Sequence, residues 1–313
     1  MARNKRGRLL HGLLLLDKPT GISSNKALQQ AKRLFDARKA GHTGSLDPLA
    51  TGMLPICFGE ATKLSRYLLN ADKTYLAQIK LGEITDSADS DGELIASHPV
   101  PVDLDLQKVD QFCQQFAGAQ MQVPPMVSAI KIDGKRLYKL AREGITVERP
   151  PRAVVIHNIT TKHYADSVIT VSVSCSKGTY IRSLATDIGE VIGCGGHIQF
   201  LRRCHVSPFD HQPMVSLEQI EQHEAPDELL LSLDAGIMHL PQAVVLNPDL
   251  ASFGQGRQVP ANFDSDDIQA LDDSSESADV RPIRVYSEDS RLLGLAKVAE
   301  DGLIAPLKVI QWD

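Results

Sequence analysis

The sequence predicts an α/β (α+β) protein, a large mixed domain over residues 1–245 followed by a smaller β-rich unit over 250–313. Three observations carry that expectation. Lys73–Leu81 and Val168–Cys175 alternate polar and apolar residues, as half-buried strands do. Strand, turn and helix follow one another at 11–37 and again at 168–192. The 313 residues, 42% of them hydrophobic, suffice for one large core and a small one.

Taken in order, residues 11–16 (His-Gly-Leu-Leu-Leu-Leu) read as a buried strand closed by Asp17–Gly21. Ser23, Ser24 or Asn25 then caps a helix expected to reach about Ala37. Residues 41–52, GHTGSLDPLATG, hold three glycines and one proline in twelve positions, which excludes a strand or helix interior. That loop carries two acid–base-capable side chains, His42 and Asp47. Asp47-Pro48 also suits a helix start, with Asp as N-cap and Pro at the first helical position. An apolar run, Met53–Phe58, follows.

The acidic stretch Glu83–Glu93 lacks the spacing and closing Glu of a calcium loop and reads as a solvated turn. A helix is expected over 107–117, ended by Gln122-Val-Pro-Pro. Ser128–Arg152 carries seven Lys and Arg against three acids, with Tyr138 among them. It suits either phosphate contact or a charged solvent face. After Cys175 a turn at Gly178 leads into a helix to about Ile192, without Walker or dinucleotide-loop spacing. Gly193–His197 reads as a turn and Ile198–Val206 as a strand. Residues 216–231 look helical and Ala243–Leu246 strand-like. The final unit is expected to hold strands at 254–259, 283–286, 292–299 and 305–310. Asp264–Asp279 has seven acids and no base, so an exposed or disordered loop is expected there.

Charge is split along the chain. Residues 1–210 carry 27 Lys and Arg against 20 Asp and Glu, whereas 211–313 carry six against 19. The first part therefore suits a polyanionic partner despite the net charge of −6. The longest leucine run, Leu13–Leu16, is far too short to span a membrane, and the basic N-terminus lacks the apolar stretch of a signal peptide. Five cysteines without a C-x-x-C pair point to reduced thiols and a cytoplasmic location. His197 and His205 belong to no cluster with ligand spacing, so no metal is expected.

GHTGSLDPLATG resembles the signature loop of the TruB family of pseudouridine synthases, which isomerise uridine 55 in the T loop of tRNA. Ser45 stands where threonine is usual. Further stretches resemble the same family: DKPTGISSN, a largely structural motif in which Lys18 and Pro19 are not expected to be catalysts; KTY at 73–75; PPMVSAIKIDGKRLYKLAREG; and SKGTYIRSLATDIGE. The resemblance implies a pseudouridine synthase fold on a mixed, largely antiparallel sheet. It also implies a mobile RNA-binding thumb near 124–152 and a C-terminal PUA-like RNA-binding domain. Asp47 would be the catalytic aspartate and Arg182 its partner. Tyr75, Tyr180 and Leu201 would line the base pocket, and His42 would insert where the target base leaves. RNA backbone contacts are expected from Lys131, Lys135, Arg136, Lys139, Arg142, Arg202 and Arg203.

The chemistry implied opens a glycosidic C–N bond and closes a C–C bond with the same uracil, so no redox cofactor is expected. The target base must leave its stack. The implied partner is tRNA through its T stem-loop, and a monomer is expected. A non-catalytic tRNA-binding or RNA-folding protein, with Asp47 only a helix cap, is the alternative. A glycosidase would need a second acid near Asp47, and the sequence names none.

Overall fold

Four consecutive leucines are buried on both faces of the first strand, which is why no polar residue interrupts them. Leu14 and Leu16 pack with Ala27, Ala31 and Phe35, while Leu13 and Leu15 pack with Met53, Phe209 and Ile310. The computed structural model describes residues 7–128, 130–132, 134–263 and 282–312. The acidic stretch at 264–279 lies outside the described residues.

The elements run β1 (Gly12–Lys18), α1 (Ser24–Leu34), β2 (Ala40–His42), β3 (Thr51–Phe58), α2 (Ser65–Leu69), β4 (Lys73–Leu81), β5 (Glu83–Thr85) and β6 (Leu94–Ser97). Next come α3 (Leu106–Gln114), β7 (Gly118–Gln122), β8 (Lys131–Ile132), β9 (Lys135–Arg136), α4 (Leu137–Arg142), β10 (Arg152–Ala165), β11 (Val168–Cys175) and α5 (Ile181–Ile192). The chain closes with β12 (Gly196–Val206), α6 (Leu217–Gln222), β13 (Gln242–Val245), α7 (Leu250–Gly254), β14 (Ile283–Ser287), β15 (Leu292–Val298) and β16 (Ile304–Val309).

An eight-stranded sheet in the order β1-β3-β12-β4-β11-β10-β7, with β2 on β3, forms the body. Every pairing in it is antiparallel except β12 with β3, so the mixed, largely antiparallel sheet expected is present. Helix α5 covers one face, sealing Leu184, Ala185 and Ile188 against Ala77, Ile79 and Val171. A second, four-stranded sheet runs β13-β14-β15-β16. No described helix is long and apolar enough to cross a membrane.

Several local expectations need correction. The apolar run at 53–58 is strand β3 despite Pro55. The Pro55 carbonyl accepts from the Thr43 amide, so its missing N–H faces that same side and takes nothing from the β1 ladder. No helix starts at Asp47-Pro48; the chain bends there and enters β3. The helix expected over 216–231 stops at Gln222, and Pro226 opens a separate 3₁₀ turn. Residues 254–259 do not form a strand: α7 ends at Gly254 and only Val259 bridges to Ile304. Because β13 pairs in parallel with β14, residues 242–245 belong to the second sheet, which begins before residue 250.

Candidate active site

Asp47 is fixed from both sides by the segment 18–24. The buried Lys18 amine donates to the carbonyls of Pro19, Ile22 and Pro48 at 2.8, 2.7 and 3.3 Å, and burial lowers it to about 8. Thr20 Oγ1 donates to the Leu49 carbonyl at 3.0 Å. Ser24 Oγ donates to the Leu46 carbonyl at 2.9 Å and accepts from the Leu46 amide at 2.7 Å. The residues before and after Asp47 are thus tied down, and its side chain is left to point outward. The close approach of β12 requires Gly52: its φ is +98°, and a Cβ there would lie 2.2 Å from the Arg203 carbonyl oxygen.

Arg182, in the first turn of α5, meets that carboxylate. Nη2 donates to Asp47 Oδ1 at 3.0 Å, and Nε stands 3.0 Å from Oδ2 as an ion-pair contact without hydrogen-bond alignment. The guanidinium is 2% exposed and also donates to the Ser87 carbonyl at 3.0 Å and the Val127 carbonyl at 2.6 Å. Asp89 Oδ2 lies 3.4 Å from Nη1. Burial pushes the Asp47 carboxyl above its ordinary range; Arg182 draws it back in part, and Asp89 adds to the push.

Asp89 was not foreseen. The stretch read as a solvated turn instead threads between β5 and β6, and Asp89, 4% exposed, is held by Ser87 Oγ at 2.6 Å. Its signal in the sequence was hidden, because an acid among acids looks solvated until a long-range partner is known. Gln122 is a second unforeseen support: its Oε1 accepts from the Tyr180 amide at 2.7 Å and its Nε2 donates to the Tyr180 carbonyl at 3.1 Å.

Asp47 opens into a cleft of about 330 Å³ whose walls include Tyr75, Tyr180, Arg182 and Leu201. Four separated segments therefore converge as expected. Asp47 also borders a wider cleft of about 1140 Å³ that includes His42, Arg136, Tyr138, Lys139 and Arg142. His42 sits at the end of β2, and among the described residues its buried Nδ1 has no hydrogen-bond partner. The wider cleft is roofed by the β8–β9 hairpin and α4, which Leu137 and Leu140 anchor. Arg136, Lys139 and Arg142 line it and are exposed, and Arg142 stands 5.6 Å over the Tyr138 ring; Lys131 and Lys135 are exposed on the same hairpin but do not line the cleft.

One expected backbone contact needs revision. Arg203 is 1% exposed and gives Nε to the Met53 carbonyl at 2.7 Å and Nη2 to the Gly44 carbonyl at 3.2 Å, so it cannot reach a phosphate outside the cleft. Arg202 is partly exposed and makes a two-point pair with Asp17, at 3.0 and 2.7 Å, so a phosphate would compete with that carboxylate for it.

Three family models match successive stretches of the chain. The model described as TruB family pseudouridylate synthase (N terminal domain) matches residues 32–181; the tRNA pseudouridylate synthase B C-terminal domain matches 182–244. A third, Pseudouridine synthase II TruB, C-terminal, matches 241–310. The chain belongs to the TruB family of pseudouridine synthases. Among its relatives, tRNA pseudouridine synthase B of Nitrosococcus oceani is 48% identical over 316 residues, covering 98% of this chain and 97% of the relative. The enzyme of the same name from Vibrio campbellii is 44% identical over 323 residues, covering 99% and 98%. Among solved structures, the crystal structure of a Cbf5-Nop10-Gar1 complex includes a chain of the same fold, with a TM-score of 0.69 at 23% identity, over 97% of this chain and 85% of that one. The first two TruB segments meet between Ile181 and Arg182, so the Asp47–Arg182 pair joins one matched segment to the next.

Proposed function

We propose that this TruB-family chain converts uridine to pseudouridine at position 55 in the T loop of tRNA. The uridine swings out of its stack into the cleft, and Asp47 acts on it there. The observation that carries the reading is the Asp47 carboxylate, aimed by a buried guanidinium into a cleft walled by two tyrosines and a leucine. A volume of about 330 Å³ falls at the small end of ligand pockets, about 300–1,000 Å³, and suits one nucleoside. The names of the curated relatives support tRNA as the substrate.

Within that reading each side chain has a physical task. Arg182 keeps Asp47 aimed and favours its ionised form against the push of burial. An ionised carboxylate at the sugar–base junction can serve as nucleophile or base. Tyr75 and Tyr180 offer aromatic surface to the extruded uracil, and Leu201 completes the apolar wall. His42, at the end of β2, fills the place the base vacates. The cations of the β8–β9 hairpin and α4 take backbone phosphates of the stem-loop. The chain is taken to act as a monomer. The substrate class and the five free cysteines fit a cytoplasmic place of action.

Replacing Asp47 by Asn tests the reading. Tritium release from 5-labelled uridine in tRNA should vanish while the tRNA dissociation constant stays within about threefold, since the change removes one charge and almost no surface. Full tritium release by Asp47→Asn would leave the chain an RNA-binding protein without this chemistry.

A further inference from the structure

The cleft into which Asp47 opens is also lined by two further cations, Lys73 and Arg203. Both are buried, at 8% and 1% exposure. Lys73 donates to the carbonyls of Leu69, at 3.2 Å, and Ala71, and Arg203 to those of Met53 and Gly44, with the Tyr75 hydroxyl also within its reach. Among the described residues neither forms an ion pair with a carboxylate, whereas Arg182 has Asp47 and Asp89 and Arg202 has Asp17. The acid next to Lys73 in sequence, Asp72, is turned outward to His157. Burying a cation without a counter-charge is costly, so two of them at one cleft make a site whose missing charge is negative.

Their placement fits that role. Arg203 lies directly opposite Tyr75 across the β12–β4 pairing and opposite Gly52 across the β12–β3 pairing, between the base-facing ring and the Asp47 loop. Its charge is felt locally: after burial, it is the next cause lowering the Lys73 amine, to about 8, and the His42 ring.

We infer that Lys73 and Arg203 form a fixed positive field that stabilises the negative charge the uracil acquires while its glycosidic bond is open. The inference rests on the proposed uridine isomerisation. When N1–C1′ breaks, its electron pair leaves with the uracil and spreads over the ring and its two carbonyl oxygens. The same pair returns when C5 bonds to C1′; C5 then releases its proton and N1 takes one up, so no oxidant or reductant enters. Preorganised charge of this kind acts on the transition state more than on the bound substrate.

The test is single-turnover rearrangement, with enzyme in excess, of tRNA carrying either uridine or 5-fluorouridine at the target position, read after nuclease digestion and chromatography as loss of the N-linked nucleoside, because a C5 fluorine cannot leave as a proton and that substrate stops at the C-linked, C5-fluorinated base. Arg203→Met should slow conversion of uridine about 100-fold and Lys73→Met about tenfold, with tRNA dissociation constants within about threefold of wild type. Arg203→Lys, which keeps the charge, should recover about tenfold of the loss. On 5-fluorouridine the deficits should shrink, because fluorine already stabilises charge in the ring. If Arg203→Met does not fold, Lys73→Met and Lys73→Arg carry the same comparison. An Arg203→Met enzyme within about twofold of wild type, or an equal deficit on both substrates with no rescue by Lys, overturns the inference. Wild-type protein inactive on uridine would instead remove the proposed function itself.

Discussion

Arg182 is buried almost completely, yet every direction its guanidinium faces holds an acceptor: Asp47, Asp89 and the carbonyls of Ser87 and Val127. A buried cation held on several sides cannot swing away, so the carboxylate it holds is aimed as well. Asp89→Asn should therefore lower the conversion rate about 10- to 100-fold through lost aim, with tRNA affinity nearly unchanged, measured by single-turnover assay beside filter binding. A pH profile follows from Asp47 itself. Its carboxyl lies above the ordinary aspartate range, so the ionised form is complete at high pH and is lost as pH falls through that raised value. The acidic limb of kcat/KM should lie above the ordinary aspartate value; a limb at or below it would contradict the burial of this group. At this scale the sequence was legible where a residue lay inside a distinctive run, as Asp47, Tyr75, Tyr180 and Arg182 do. It was illegible for Asp89 and Gln122, whose meaning comes only from partners 93 and 58 positions away.

The β8–β9 hairpin and α4 are a small element with a large charge. Leu137 and Leu140 are its buried anchors, and five cations on it are solvated. Solvated cations exchange counterions for phosphates, so Lys135→Ala with Arg136→Ala should weaken tRNA binding and make the log K against log salt slope shallower by about 1 to 2, read by titration at several salt concentrations. An unchanged slope would mean that these side chains meet no phosphate. Among the strands, β4 and β11 were legible to the residue because their alternation is unbroken. Strand β10 was not, since register shifts near Asn158 and His163 spoil its period. Its turn at Asp166-Ser167 takes positive φ at both positions, 51° and 62°, without the glycine that would have announced a hairpin. Pro55 likewise disguised β3, and Pro226 cut short a helix that the apolar spacing suggested.

The two sheets of the molecule are not independent bodies. Leu292 and Leu295 of the second, with Ile310 just beyond its last strand, share a cluster with Leu13, Leu15 and Met53 of the first. The Lys63 amine donates to the Val309 carbonyl at 2.7 Å, and the Gln311 amide donates to Glu60 Oε2 at 3.0 Å. Calorimetry should therefore record one unfolding transition, and Ile310→Ala should lower it by about 2–5 kcal/mol without splitting it. Two resolved peaks would show the sheets melting separately. The division into a large unit and a small one was legible in composition. Where they join was not, because β13 reads as the tail of one and pairs within the other.

The pairing of Asp47 with Arg182 has a consequence for biogenesis. The two partners are 135 positions apart, and the strand flanked by both Tyr75 and the Asp47 loop is not complete until Val206. A ribosome can finish the acid, its loop and its clamps long before the guanidinium that aims them exists. The nascent protein therefore carries an unaimed Asp47 through more than half of its synthesis, and the pair can form only once Arg182 has been made.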